Sequence, residues 1–91
     1  MAQVDVTSLG DGRFRVEVVE GKRPRTRHDV TVRPETVSAL GWSGSLDELV
    51  RRTFQFLLAR ESKEAILPSF DLSVVGRYFP EYEGIARDGF A

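Results

Sequence analysis

Apolar and polar residues alternate through the first third of the chain, and this period of two limits the fold more than any other feature. One set of alternate positions is apolar: Val4, Val6, Phe14, Val16, Val18, Val30 and Val32. The other set is polar or charged, for example Asp5, Arg15 and Asp29. Successive side chains of a β-strand point to opposite faces, so the pattern predicts an antiparallel sheet with one covered face and one face in water.

The register of the first hairpin follows from the same alternation. A two-residue loop, Asp11–Gly12, would pair Thr7 with Val16 and place a polar residue on the apolar face. A three-residue loop, Gly10–Gly12, pairs Val6 with Val16 and keeps the apolar sets together. We therefore predict the three-residue loop, with its last glycine in the left-handed conformation that a bulged turn requires.

Residues that start and stop helices divide the middle of the chain. Pro34 suits the first position of a short helix over residues 34–40, which Gly41 ends. Ser45 and Glu48 have capping-box spacing, in which the two side chains cover free amides at a helix start. The helix that follows is predicted to run to about Arg60, and its apolar arc of about 200° is wider than a three-stranded sheet alone requires.

The remaining residues are expected to supply the missing cover. Ser62 is a cap for residues 63–67, and Ser69 or Asp71 is a cap for a helix over residues 71–79. Residues 84–91 are predicted to form a frayed tail. The predicted fold is a single α+β domain, residues 1–83, in which a three-stranded antiparallel meander is covered by one long amphipathic helix and two short C-terminal helices.

Composition excludes several classes of protein. The chain has 91 residues, 41% of them hydrophobic and 30% charged, which suits one globular domain rather than a disordered segment. It has no cysteine, which excludes disulfides, thiolate metal sites and a cysteine nucleophile. No apolar run approaches the roughly 20 residues of a membrane helix, and the first residues lack the features of a signal peptide. We therefore expect a cytoplasmic protein with no membrane partner.

Aromatic residues are concentrated near the C-terminus. Four of the nine, Phe70, Tyr78, Phe79 and Tyr82, lie within thirteen positions. Their spacing is typical of core packing, but Tyr78, Phe79 and Tyr82 also suit a partner surface, and both roles coexist if one face of the segment points outward. The leading prediction is a small non-enzymatic adaptor or regulatory module acting through protein contacts at these three residues. The sequence does not identify the protein partner, and a homodimer through the long helix or an edge strand is a further hypothesis.

Basic residues are concentrated in the N-terminal third. Residues 13–33 hold seven basic and three acidic groups, a net charge of +4 in a chain whose total is −1. A solvated face, partly neutralised across strands, is the simpler interpretation. The alternative function is weak RNA or DNA binding, although no aromatic side chains interleave as a base-stacking surface requires. The candidate anion or nucleic-acid contacts are Arg13, Arg15, Arg23, Arg25, Arg27 and Arg33.

The sequence contains no recognisable catalytic set. The only histidine, His28, shares strand parity with Val30, and Asp29 points to the opposite face. Glu81 and Glu83 flank a tyrosine beside a proline, which is typical of a solvated acidic turn rather than an acid–base pair. Neither a glycine-rich phosphate loop nor metal-ligand spacing occurs. We therefore predict no enzymatic activity, no cofactor and no metal.

The C-terminal half carries a longer motif, F-x-F-L-L-x-R-E-x-x-E-x-I-L-x-x-F-D-L-S-x-x-x-x-Y-F-P-E-Y-E, from Phe54 to Glu83. It resembles the pattern of a family of short uncharacterised bacterial proteins. The resemblance covers about residues 26–83 and is specific in the last thirty of them. It implies no activity, cofactor or site residue. The first hairpin, Val4 to Glu20, is the part expected to vary within such a family.

Overall fold

The computed structural model describes residues 2–90, and they form one four-stranded mixed sheet with four α-helices, which confirms the predicted α+β class. Met1 and Ala91, the outer ends of the predicted domain and tail, lie outside the described residues. The elements along the chain are β1 (Ala2–Gly10), β2 (Arg13–Glu20), β3 (Thr26–Thr31), α1 (Pro34–Leu40), α2 (Leu46–Leu58), β4 (Ser69–Asp71), α3 (Val75–Tyr78) and α4 (Tyr82–Arg87). Two 3₁₀ turns, Lys63–Ala65 and Leu72–Val74, lie on either side of β4.

Strands β1, β2 and β3 form the predicted antiparallel meander, in the predicted register. Val6 lies opposite Val16, and Val4 lies opposite Val18. The inward valines of β2 are fully buried, whereas those of β1 are half-buried because β1 is at the edge of the sheet. One face of the meander is therefore covered, as the alternation requires.

The first turn reaches this register by a different route from the predicted three-residue loop. Asp11 and Gly12 are its two central residues, with φ values of 54° and 75°. The register shifts between Ser8 and Gly10, so that Leu9 is an unpaired bulge in β1. The bulge holds the extra residue that the prediction placed in the loop, and a two-residue turn with both φ values positive matches the twist of the strands.

The sheet has a fourth strand, which corrects the predicted three-stranded meander. β4 pairs in parallel with β3, with Phe70 opposite Val30. The backbone N–H of Asp29 donates to the carbonyl of Pro68 at 2.8 Å. A strand of three residues is too short to show alternation. The sequence predicts the start of a helix here instead, because Pro68 precedes the segment and Asp71 is a helix cap.

Helix α2 covers the inner face of the sheet. Leu49, Val50 and Phe54 are fully buried along it, and the Phe54 ring lies 5.4 Å from the His28 ring and 6.0 Å from the Phe70 ring. These centroid distances are those of interacting aromatic rings, so Phe54 connects the helix to both β3 and β4. The core is thus continuous from the meander to the fourth strand.

The predicted helix ends are confirmed for α1 and in part for α2. Helix α1 runs from Pro34 to Leu40 and is followed by the C-cap Gly41, which is left-handed at φ 63°. The Ser45 hydroxyl accepts a hydrogen bond from the Glu48 amide at 3.2 Å, as a cap does. The Glu48 carboxylate pairs with Arg51 and Arg52 instead of returning to the cap, because two guanidinium groups lie on the next turn.

The two predicted C-terminal helices are present only in part, the first as the 3₁₀ turn Lys63–Ala65 and the second as a 3₁₀ turn followed by α3. The 3₁₀ turn Leu72–Val74 leads into the single turn of α3, after which the chain turns at Pro80. Helix α4 extends from the end of the predicted domain into residues predicted to be a frayed tail. Its Ala86 is buried, and Phe90 lies edge-on against Trp42 at 5.8 Å. Ile85 and Phe90, which also belong to the predicted tail, are partly buried against the core.

Among residues 2–90, no helix has the length and apolar character needed to cross a bilayer.

Candidate functional site

An open apolar groove lies where α2 ends and the C-terminal segment crosses it. Its volume is about 340 Å³. Helix α2 contributes one wall, the chain from the first 3₁₀ turn to β4 contributes the floor, and α3 contributes the other wall. The lining residues are Leu57, Glu61, Ala65, Ile66, Leu67, Phe70, Val74, Val75, Tyr78 and Phe79, of which all but Glu61 are apolar or aromatic.

The local sequence explains why the groove stays open. The first 3₁₀ turn ends at Ala65, Ile66 has extended backbone angles (φ −75°, ψ 133°), and Pro68 favours an extended backbone at Leu67 before β4 begins at Ser69. In an extended segment neighbouring side chains point to opposite sides, so Ile66 is buried while Leu67 remains 45% exposed. Asp71 then caps the second 3₁₀ turn by accepting from the Ser73 amide at 3.0 Å. The cap turns the chain back and places α3 across from Leu67.

Tyr78 forms the other rim of the groove. It is 69% exposed, the most exposed of the large hydrophobic side chains among residues 2–90. Phe79 is half-buried behind it and packs edge-on against Phe56 at 5.8 Å. Two of the three predicted partner contacts, Tyr78 and Phe79, therefore line the same groove.

Tyr82 does not join them, and its surface role in the prediction is not supported by its position. It is 1% exposed in the core. Its hydroxyl lies 2.7 Å from Thr53 Oγ1, and Thr53 in turn donates to the Leu49 carbonyl at 2.8 Å. Burial raises the pKa of the Tyr82 hydroxyl to about 12, against the smaller opposing effect of the Thr53 hydrogen bond. Pro80 separates Tyr82 from α3 and turns it inward.

Of the described residues, Glu61 is the only one with a charged side chain that lines the groove. Within residues 2–90 no lysine or arginine nitrogen lies close enough to form an ion pair with it. The neighbouring Arg60 is already engaged, because it stacks over Phe56 at 3.6 Å and donates to Glu81 at 3.3 Å. One end of the groove therefore carries an uncompensated carboxylate. Neither Glu61 nor Leu67 is among the predicted contacts. The sequence does carry a signal for Leu67, because it belongs to an adjacent apolar pair before a proline, and such a pair indicates one outward side chain.

The predicted basic contacts do not share one surface, and most are neutralised. Arg13, Arg15 and Arg27 lie on the strands of the meander, Arg23 and Arg25 lie on the turn between β2 and β3, and Arg33 precedes α1. Arg15 pairs with Asp29 across the strands at 3.3 Å, and Arg33 pairs with Asp71 at 2.8 Å. Glu17 lies between Arg25 and Arg27, at 3.6 and 3.7 Å.

The other two candidate arginines differ from each other. Arg23 lies 3.7 Å from Glu20 and 3.9 Å from Glu64, whereas Arg13 is exposed and has no ion pair among residues 2–90. Exposed pairs of this kind add at most about 1 kcal/mol each to stability, but they cancel the charge that would attract phosphates. The carboxylates that pair with these arginines are almost as numerous as the arginines themselves: Glu17, Glu20, Asp29, Glu64 and Asp71.

Two further polar side chains, His28 and Lys63, are buried and do not line the groove. His28 is 2% exposed; its Nδ1 bonds the Leu67 carbonyl at 2.8 Å and its Nε2 bonds Thr26 Oγ1 at 2.9 Å. Lys63 is fully buried and donates to Glu64, and this hydrogen bond is the main reason that the pKa of Glu64 is lowered. Both side chains have their partners within the fold, so they tie the C-terminal segment to the sheet and to its own turn. Residues 2–90 contain no cluster of three or more metal-ligating side chains.

Comparison with known proteins gives no relatives: no family model matches the chain, and no curated protein and no solved structure is significantly similar to it. The family resemblance of the C-terminal motif stays a prediction.

Proposed function

We propose that the protein is a small non-enzymatic interaction module whose apolar groove binds a short peptide segment of a partner protein. One bulky apolar side chain of that segment enters between Leu67 and Tyr78, and a lysine or arginine of the segment pairs with Glu61. The observation that supports this most strongly is the pairing of an open apolar groove with an uncompensated carboxylate at its end.

The chemistry of the lining favours a peptide over a small molecule. Small-molecule sites combine an apolar wall with several convergent polar groups that fix the orientation of the ligand. This groove offers one carboxylate, and its two exposed rim residues, Leu67 and Tyr78, are large and apolar. Covering each rim side chain would contribute on the order of 1 kcal/mol. A segment with an apolar anchor and a basic neighbour satisfies both features at once.

The charge distribution ranks nucleic-acid binding second. Arg23 and Arg25 remain more than half exposed on the second turn of the meander. Their ion pairs with Glu20, Glu64 and Glu17 reduce the positive potential there. Phosphate-driven affinity depends on unpaired cations and falls steeply with salt, so this surface is a weaker candidate than the groove.

The test uses a random peptide library displayed against the full chain. The expected consensus has one bulky apolar residue and one lysine or arginine. The consensus peptide, synthesised with a fluorophore, is then titrated into the wild type and two variants. Leu67→Glu should weaken binding at least tenfold, because it removes an apolar rim side chain and puts a hydrated charge where the apolar anchor of the peptide has to pack. Leu9→Glu is the matched control: Leu9 is 39% exposed but lies on the first hairpin, away from the groove, and its variant should bind as the wild type does.

A charge exchange tests the second part of the proposal. Glu61→Lys should weaken the basic peptide several-fold, and a peptide in which the basic residue is replaced by glutamate should regain the affinity with this variant. Equal loss in Leu67→Glu and Leu9→Glu would refute the groove as the site. Enrichment of no consensus, together with oligonucleotide binding that Arg25→Glu abolishes at low salt, would refute the proposal in favour of the basic face.

A further inference from the structure

Strand β1 is an open edge of the sheet. The strand order is β1-β2-β3-β4, so β1 pairs on one side only, and it is nine residues long. Proteins protect such edges with lysine, proline, inward-pointing charges or very short strands. β1 has no lysine and no proline, and its one charged residue, Asp5, is exposed on the outer face. The bulge at Leu9 lies near one end and leaves the stretch Ala2–Ser8 regular.

The backbone groups on this edge can be assigned from the ladder. The Val32 amide donates to the Gly12 carbonyl at 2.7 Å, which makes Gly12 and Val32 a hydrogen-bonded pair between β2 and β3. Hydrogen-bonding direction alternates along an antiparallel strand, so even-numbered residues of β2 bond toward β3 and odd-numbered ones bond toward β1.

The same alternation then assigns β1. Its residues opposite the odd-numbered positions of β2 are Gln3, Asp5 and Thr7, and their backbone groups face β2. The N–H and C=O groups of Ala2, Val4 and Val6 therefore point out of the sheet. A new antiparallel strand would bond to these residues, whose side chains belong to the inner, apolar face.

The side chains of β1 select one register for pairing with a second copy. With the two-fold axis at Val4, Val4 faces its own copy, Ala2 faces Val6, and Gln3 faces Asp5 on the outer face. The Gln3 side chain already donates to the Asp5 carboxylate at 3.0 Å within one chain, so two copies would place two amides among two carboxylates.

The neighbouring registers are less favourable. An axis at Asp5 would place two carboxylates opposite each other in the closest type of side-chain pair. An axis at Val6 would place Val4 opposite Ser8 and Gln3 opposite Leu9, where the bulge interrupts the strand. Only the axis at Val4 pairs apolar with apolar residues and an amide with a carboxylate.

From these observations we infer that β1 is a homodimer interface, at which two copies join their sheets antiparallel about a two-fold axis at Val4. The partner of this surface is a second copy of the chain, because the edge is complementary to itself. The surface is separate from the groove, and the dimer would leave Leu67 and Tyr78 free.

The experiment is sedimentation equilibrium of the full chain over a wide concentration range, with charge variants at Gln3. Gln3→Asp places like charges across the axis and should raise the dimer dissociation constant about tenfold, whereas Gln3→Lys should lower it by a similar factor. The double variant Gln3→Asp/Asp5→Lys exchanges the charges and should restore dimerisation. Val4→Pro removes an amide that β2 does not use and places a ring on the edge, and it should be monomeric with an unchanged circular dichroism spectrum.

Several results would overturn the inference. A wild type that is monomeric at every concentration would do so. If the Gln3→Asp and Gln3→Lys dimers are equally stable, the register with its axis at Val4 is excluded. This conclusion holds even if Val4→Pro fails to fold. A dimer that Leu67→Glu dissociates and Gln3→Asp leaves intact would place self-association at the groove. Peptide binding is measured separately, so this inference and the proposed function can fail independently.

Discussion

The buried hydrogen bond between Thr53 and Tyr82 joins the middle of α2 to the start of α4, and its removal should destabilise the fold by an amount that depends on which partner is changed. Thr53 already donates its proton to the Leu49 carbonyl, so the Tyr82 hydroxyl is the donor of the 2.7 Å contact to Thr53 Oγ1. Tyr82→Phe removes that donor and leaves only an acceptor lone pair without a partner. We expect it to lower the free energy of unfolding by about 1 kcal/mol.

Thr53→Val should cost more than Tyr82→Phe. It leaves the Tyr82 hydroxyl, which is 1% exposed, without an acceptor, and an unsatisfied buried donor costs about 1–3 kcal/mol. The double variant removes both polar groups and should be no less stable than Thr53→Val alone. The expected double-mutant cycle therefore has a coupling free energy of about 1–2 kcal/mol.

The same contact predicts a pH dependence at the alkaline end. The folded-state pKa of Tyr82 is raised to about 12 from an ordinary value of 10.0, so the unfolded chain loses this proton first. The stabilising contribution is fully present below pH 10 and is lost as the pH rises toward 12. A shift of two pKa units corresponds to roughly 2–3 kcal/mol, and the alkaline loss of stability should be smaller by about this amount in Tyr82→Phe.

Urea unfolding at neutral and alkaline pH measures all four proteins of the cycle. Spectrophotometric titration of a Tyr78→Phe variant isolates the phenolate of Tyr82, because the chain has only two tyrosines. The reasoning would be refuted by additive effects of the two substitutions, or by an alkaline loss of stability in Tyr82→Phe equal to that of the wild type.

Three further substitutions test the first turn and the Asp71 cap. Gly12→Ala should lower the free energy of unfolding by about 3 kcal/mol, because Gly12 has a φ of 75° and a Cβ there would lie 2.4 Å from the Val32 carbonyl oxygen. Gly10→Ala should lower it by about 1 kcal/mol, because Gly10 has a φ of 86° but open space around it. Equal urea midpoints for the two variants would contradict this reasoning. Desolvation raises the pKa of Asp71, but the Ser73 hydrogen bonds and the Arg33 charge outweigh it and lower the pKa overall. Ionised Asp71 therefore stabilises the fold at pH values above its unfolded-state pKa of 3.8, and this stabilisation is lost as the pH falls through the folded-state pKa. Asp71→Asn should consequently lose less stability at acid pH than the wild type, as measured by urea unfolding. An equal loss of stability at acid pH in both proteins would count against the cap.

The sequence predicts the fold well where a long periodic pattern makes the assignment. Strands of six to nine residues show their alternation, and one valine register satisfies both sides of the first hairpin. Helix α2 has both a cap and a continuous apolar face. Prediction fails at β4, whose three residues are too few for a period to appear, and it gives α3 only as part of a longer helix over residues 71–79. At β4 the strand is determined by the pairing of Phe70 with Val30, which is a tertiary contact that a local sequence pattern does not show.

The candidate site shows how one break in the chain changes which residues reach the surface. Tyr78 and Tyr82 are four apart, and on a continuous helix they would share a face. The chain leaves helical geometry at Phe79, where φ is −129° and ψ is 88°, and α4 starts in a new direction after Pro80. Tyr78 is consequently 69% exposed and Tyr82 only 1%. Pro80 indicates in the sequence that the helix breaks. The direction of the chain after the break depends on the packing of Tyr82 against Thr53 and Phe56. For this reason only the fold shows which aromatic residues lie in the core and which line the groove.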